Sequence, residues 1–256
     1  MAYTTIDDPS AHFHTELYTG DGQDNRTVTN SANAGDFKPD WLWIKERSST
    51  SHHRLFDSSR GVSKRLATSN NEAEVSDSSN HKTFDTDGFT VGTSGSVNAN
   101  SDTYAAWQWK ANGGTTSSNG NGSVTSTVQA NTTAGFSIVT YTGNGTNNAT
   151  VGHGLGKSIS WMLLKNRDDS ENWWNYHAGL SDPSSKAILL NSTNAEFTPG
   201  TSAFYPANFS TSLFSMKNDN ASNSNGEEYQ YGAILLYKNG SELARNAIDP
   251  SNNANA

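Results

Sequence analysis

The chain states one pattern twice. Tyr18-Thr19-Gly20-Asp21-Gly22 returns as Tyr141-Thr142-Gly143-Asn144-Gly145. Asp40-Trp41-Leu42-Trp43-Ile44-Lys45-Glu46-Arg47 returns as Ser160-Trp161-Met162-Leu163-Leu164-Lys165-Asn166-Arg167. Ser63-Lys64-Arg65-Leu66 returns as Ser185-Lys186-Ala187-Ile188, and Phe84 and Phe89 return as Phe204 and Phe209. The blocks keep their order at a spacing of about 120 residues, which is too long for a solenoid unit and matches a whole small domain. Two tandem copies of one fold are therefore expected. Matched positions should be framework, and positions where the copies differ are free to carry function.

Composition narrows the class. Hydrophobic content is 32% and charged content 16%, with 22 Gly. Disordered chains combine such polarity with few aromatics, but here aromatics make up 10% and fall in clusters. Short apolar runs between polar turns predict an all-β protein. There is no cysteine, which excludes a disulfide framework, thiolate metal sites and a cysteine nucleophile. The net charge of −8 argues against a nucleic-acid partner. The N-terminus has neither a basic region nor an apolar run of signal-peptide type, and no stretch is apolar for long enough to span a membrane.

Along the chain, residues 1–11 are expected to be an N-terminal attachment segment and residues 12–110 a first β-sandwich. Residues 111–133, rich in Gly, Ser, Asn and Thr, read as a flexible linker whose last part, from Val124, begins the second copy as an edge strand or arm. Residues 134–256 form the second sandwich, with a loose tail from about Asn246. Trp41-Leu42-Trp43-Ile44-Lys45 reads as a buried strand. Trp107 and Trp109 alternate in Tyr104-Ala105-Ala106-Trp107-Gln108-Trp109, which makes one sheet face aromatic. Two sets of short strands with long turns fit a pair of jelly-roll sandwiches.

Residues 37–48, Ser51 to Gly61, Tyr104 to Gly114, Gly135 to Gly145 and Val151-Gly152-His153-Gly154-Leu155-Gly156 together resemble a repeat family of structural proteins from tailed, often marine, bacteriophages. The resemblance covers nearly the whole chain. It implies concanavalin A-like sandwich domains in a virion component, usually a tail fibre or other appendage. The expected partners are then other virion proteins, further copies of the chain and a host surface glycan. The protein would be made in the host cytoplasm and released by lysis. The second copy departs from the pattern where His177-Ala178-Gly179-Leu180 stands in place of Asp57-Ser58-Ser59-Arg60.

Several constellations are candidates for function. Asp57 and Arg60 could grip a carboxylate or a sugar hydroxyl, or else close a turn. Trp173, Trp174, Tyr176 and His177 are the densest aromatic cluster. They could stack on sugar faces or fill a core or interface, and adjacent Trp residues on a strand must point to opposite faces. Asp168, Asp169 and Glu171 form an acidic loop that could hold calcium, though without the spaced ligand ladder of a dedicated site. The pairs His12/His14 and His52/His53 lack a third zinc ligand. No cofactor is expected. No paired-acid, Gly-x-Ser-x-Gly or phosphate-loop pattern is present, so the expectation is a non-enzymatic structural protein. A capsid decoration protein and a glycan-binding module are the alternatives.

Overall fold

The computed structural model describes residues 8–31, 37–200, 204 and 208–234. They form an all-β protein in which every ladder between named strands is antiparallel. The first half contains β1 (Phe13–Thr19), β2 (Arg26–Thr29), β3 (Trp41–Glu46), β4 (Arg54–Asp57), β5 (Lys64–Ala67), β6 (Val75–Ser76), β7 (His81–Asp85), β8 (Gly88–Val91) and β9 (Thr103–Trp109). The second contains β10 (Ser117–Asn119), β11 (Ser126–Asn131), β12 (Phe136–Thr142), β13 (Ala149–Gly152), β14 (Trp161–Asn166), β15 (Trp174–His177), β16 (Ile188–Leu189), β17 (Leu213–Met216) and β18 (Glu228–Ile234). A single helical turn, α1 (Gly95–Asn98), is the one α-helix among the described residues.

The sequence repeat is a repeat of topology. The first half's main sheet runs β1-β9-β3-β4-β5-β6, and the second half's runs β10-β11-β12-β18-β14-β15-β16. Setting aside the added β10 and β11, the two orders correspond strand for strand from β1/β12 to β5/β16. A smaller sheet accompanies each, β2-β8-β7 in the first half and β13-β17 in the second.

The matched motifs have matched jobs. The Tyr18 hydroxyl donates to the Val97 carbonyl at 2.7 Å and the Tyr141 hydroxyl to that of Ser222 at 2.7 Å. Each ring stacks on a second tyrosine, Tyr104 at 5.0 Å and Tyr229 at 5.1 Å. The following turn is pinned by a distant asparagine: Asp21 N donates to Asn98 Oδ1 at 3.0 Å, and Asn144 N to Asn223 Oδ1 at 2.9 Å. Gly20 and Gly143 are required by close approach, since a Cβ would lie 2.0 Å from the Ala99 carbonyl oxygen in one case and 2.1 Å from that of Ser224 in the other. Lys45 and Lys165 each reach back to carbonyls of their own loops, Ser49 at 2.8 Å and Asp169 at 3.0 Å.

Alternation along the strands sorts side chains between cores. Leu42 and Ile44 of β3 pack with Phe56, Phe89, Val91 and Tyr104 between the six-stranded and three-stranded sheets. Val139, Tyr141, Met162 and Leu164 pack with Val151, Phe214 and Met216 between the seven-stranded and two-stranded sheets. The opposite faces of the two main sheets meet each other. There Trp41, Leu55 and Leu66 join Phe136, Ile138, Leu163 and Trp173 in a third core shared by both halves. This double burial explains the uninterrupted apolar runs at Trp41 and Trp161, because a strand covered on both faces has no polar side to alternate with.

Two expectations are corrected here. Residues 111–133 are not a free linker: β10 and β11 extend the second sheet, and Val124 and Val128 are buried in its core. Its first turn is anchored by buried polar groups, with Ala111 N and Gly113 N each donating to Asp40 Oδ2 at 2.8 Å. Gln129 Oε1 accepts from Gly114 N at 2.8 Å. Nor are the halves separate beads on a string, because they share a core. Most of the N-terminal attachment segment, residues 1–7, and the tail from Asn246 lie outside the described residues.

At roughly 2 kcal/mol per large apolar side chain buried, the shared core rivals the whole net stability of an ordinary domain. Calorimetry should therefore show one cooperative unfolding transition rather than two. Gly232 faces Trp41 across this core, and a Cβ there would sit 2.7 Å from Trp41 Cη2. Gly232→Ala should cost about 1–3 kcal/mol by overpacking and lower that single transition as a unit.

Candidate functional site

The most concentrated chemistry lies where the halves meet. Asp57 ends β4, and the turn that follows brings Arg60 back onto it. Asp57 Oδ1 accepts from the backbone N–H groups of Ser59 and Arg60, both at 3.0 Å. Asp57 Oδ2 accepts from Arg60 Nε at 2.5 Å and from Gln230 Nε2 of the second half at 2.6 Å. Arg60 Nη1 donates to Glu74 Oε2 at 2.9 Å. The same carboxylate receives Arg167 from the other half, Nε to Oε2 at 2.9 Å and Nη2 to Oε1 at 3.0 Å. Arg167 Nη1 lies 2.7 Å from Glu228 Oε2. The side chains of Asp57 and Arg60 have no solvent exposure.

This is a chain of alternating charge, Asp57–Arg60–Glu74–Arg167–Glu228, largely buried up to Arg167 and reaching solvent at Glu228. Burial alone would raise the Glu74 pKa, but the hydrogen bonds from Arg167 and the charge of Arg60 outweigh it and hold the group at about 2. Burial likewise disfavours the Arg167 cation, and Glu74 more than compensates, so its pKa is raised. The Asp57/Arg60 pair therefore grips the opposite half of its own chain and has no free face for a ligand. One set of these groups joins both halves, so the second copy, with His177 to Leu180, needs no Asp-x-x-Arg of its own.

The aromatic cluster is likewise internal, as its core or interface alternative expected, and offers no platform for a glycan. Trp173 is fully buried in the shared core, and its Nε1 donates to the Ala67 carbonyl of the other half at 2.7 Å. Trp174 points the opposite way and packs on Phe197 and Phe204, with Tyr176 on Phe204 and Phe209. Both are buried. His177 is half-buried, and its Nδ1 accepts from Gly179 N at 2.9 Å. The rule that neighbouring strand residues face apart holds, but both faces are covered.

The acidic loop does not converge on a metal. Asp168 Oδ2 accepts from Glu228 N at 2.7 Å and Glu171 Oε1 from Asn172 N at 2.7 Å. The Asp169 contribution is its backbone carbonyl, used by Lys165. His52 pairs with Ser69 at 2.9 Å and His14 with Glu16 at 2.9 Å. Among the described residues no group of three metal-ligating side chains comes together.

Composition and spacing did not single out five buried polar groups. Asp40 and Gln129 organise the turn at residues 111–114, and burial raises the pKa of Asp40. Lys165 is fully buried, with Nζ donating to the carbonyls of Asn166 at 2.6 Å and Asp169 at 3.0 Å, and burial pushes it down to about 8. His81, stacked between Phe56 at 5.2 Å and Phe84 at 4.1 Å, and His153 are both pushed down to about 4 by burial.

Two surface features remain. An open cleft of about 380 Å³ runs between Lys38, Val62 and Phe84 and the turn at Gly113 and Gly114. On the six-stranded sheet, beside the shared core, Trp43, Trp107 and Trp109 are only half-buried, and Phe13 lies 4.9 Å from Trp109.

Acid should destabilise the protein in two stages. His81 and His153 are neutral when folded, whereas the unfolded chain takes up protons near the ordinary value of 6.5. Stability is thus complete above that pH and drains as pH falls towards about 4, by roughly 3 kcal/mol per imidazole. Glu74, with a folded value of about 2 against 4.5, continues the loss below pH 4.5. Urea titrations across this range measure the slope, and His81→Gln should remove its share of the first stage. Arg167→Ala should cost about 3–5 kcal/mol in the same assay, because it leaves Glu74 buried with half its partners gone.

No curated protein and no solved structure matches the chain. One family does, and its match runs through both copies of the repeat in a single span, residues 8–235. The chain belongs to the family described as Domain of unknown function (DUF7483).

Proposed function

We propose that this protein is a non-enzymatic structural component of a tailed-phage particle, serving as a tail fibre, a fibre adaptor or a host-recognition appendage. Each half is read as a jelly-roll sandwich of concanavalin A-like type, and the protein as one part of an assembly with other virion proteins and further copies of itself. The observation that supports a structural role is the shared core with its largely buried charge chain. The candidate ligand-gripping residues Asp57 and Arg60 are committed to fixing one half against the other. A joint built this way holds the two halves in fixed register, so position and force pass from one half to the other. No helix of the described residues is long and apolar enough to cross a membrane.

A second reading, a module that binds host glycan, is favoured by one observation. The partly exposed indoles of Trp43 and Trp107, with ring centroids 6.2 Å apart, offer some ring surface on the sheet that also carries the Phe13–Trp109 contact. Flat aromatic rings on a sheet suit the apolar faces of sugars.

Cryo-EM reconstruction of intact particles tests the proposal. Density for the fused pair on the tail supports the appendage reading. Density on the capsid lattice replaces it with a decoration role, and absence from the particle refutes both. Trp107→Ala should reduce host adsorption about two- to tenfold if sugar stacking contributes the energy of one such contact. Unchanged adsorption with folding intact removes the glycan reading.

A further inference from the structure

The two halves differ at one edge. In the second half, β11 hydrogen-bonds along the outer side of β12, from Ser126 opposite Tyr141 to Asn131 opposite Phe136. Among the described residues nothing pairs with the outer side of the equivalent strand, β1. Its backbone orientation is fixed by the neighbours of β9. Lys110 N donates to the His12 carbonyl and Gly20 N to that of Asp102, so even-numbered residues turn their backbone groups inward. Phe13, Thr15 and Leu17 therefore present N–H and C=O outward, while the outward carbonyl of Thr19 accepts from Arg26 Nη1.

The side chains of those residues are also unusual. The large apolar residues left exposed among the described ones are Phe13 at 40%, Leu17 at 56% and Val62 at 42%. Two of these three sit on β1, on one face. The strand has no proline, no glycine and no bulge, and its one carboxylate, Glu16, is already paired with His14. Exposed edges in soluble proteins are ordinarily blunted by lysine, proline or a bulge. This one carries none of them.

We propose that β1 pairs antiparallel with β1 of a second copy of this chain, across a twofold axis through Thr15. The strand is self-complementary in that register. Phe13 stands opposite Leu17 of the second copy, and His14 opposite its Glu16, each twice by symmetry. Phe13, Thr15 and Leu17 then exchange hydrogen bonds in pairs, and the two six-stranded sheets become one continuous sheet. The second copy is favoured over any other strand because one seven-residue segment supplies both the apolar and the polar halves of the match. The pairing goes beyond the virion reading and does not depend on it.

Sedimentation of the full chain at micromolar concentration should show a dimer. Leu17→Lys, at a position more than half exposed and so unneeded for folding, should raise the dissociation constant at least about tenfold. The cysteine-free background permits a register test. Residues facing each other in a hydrogen-bonded pair lie about 5.5 Å apart at Cα, within disulfide reach. Thr15→Cys should therefore form a covalent dimer on oxidation, and Thr19→Cys, four residues from the axis on each strand, should not. Circular dichroism confirms that each variant is folded. A wild-type monomer overturns the proposal, including the case in which residues 1–7 of the same chain cover the edge. A dimer indifferent to Leu17→Lys, or one that crosslinks through Thr19→Cys as readily as through Thr15→Cys, overturns it too.

Discussion

Glu74 sits between two guanidinium groups, one from each half, and that contact fixes how the halves meet. Buried ion pairs are poor sources of net stability, because removing charges from water offsets most of their attraction. Their effect here is on register. The apolar layer of Trp41, Leu55, Phe136, Leu163 and Trp173 would tolerate sliding, since apolar contact has no direction. A carboxylate that must meet Arg60 at 2.9 Å and Arg167 at 2.9 and 3.0 Å has very few acceptable positions. Gln230 on Asp57 adds a second point of alignment, and two points fix a rotation as well as a translation.

Much of each half was legible in the sequence, because its determinants are local or repeated. Tyr-Thr-Gly-Asx-Gly marked a turn, and the structure supplies the reason in Asn98 and Asn223 and the tight glycines. The run Trp41 to Lys45 read as a buried strand. Nothing in five residues, however, names what lies on each face. That partner comes from about 100 residues further on, as with Trp173 and the Ala67 carbonyl.

The misreadings share this cause. Residues 111–133 look like linker because Ser, Asn and Gly dominate, yet Gln129 satisfies Ser58 and Gly114 through contacts that composition cannot reveal. For Asp57 and Arg60 the sequence offered a closed turn beside a ligand grip, and the turn is what forms, but their third and fourth partners, Glu74 and Gln230, are remote in sequence. Trp173 and Trp174 looked exposed in part because a sandwich has an outer face, and here one outer face is the inside of the joint. The informative sign was the departure at His177 to Leu180: a framework motif absent from one copy marks where two copies stop being equivalent.

The edges of the sheets differ in length. Among the described residues β6 and β16 are two residues long and β10 three, while β1 is seven. Through its two main sheets, whose other edges are these short strands, such a building block has a valence of one. It can terminate a growing sheet but cannot propagate it, so crowding such blocks together yields closed particles of fixed size instead of fibrils.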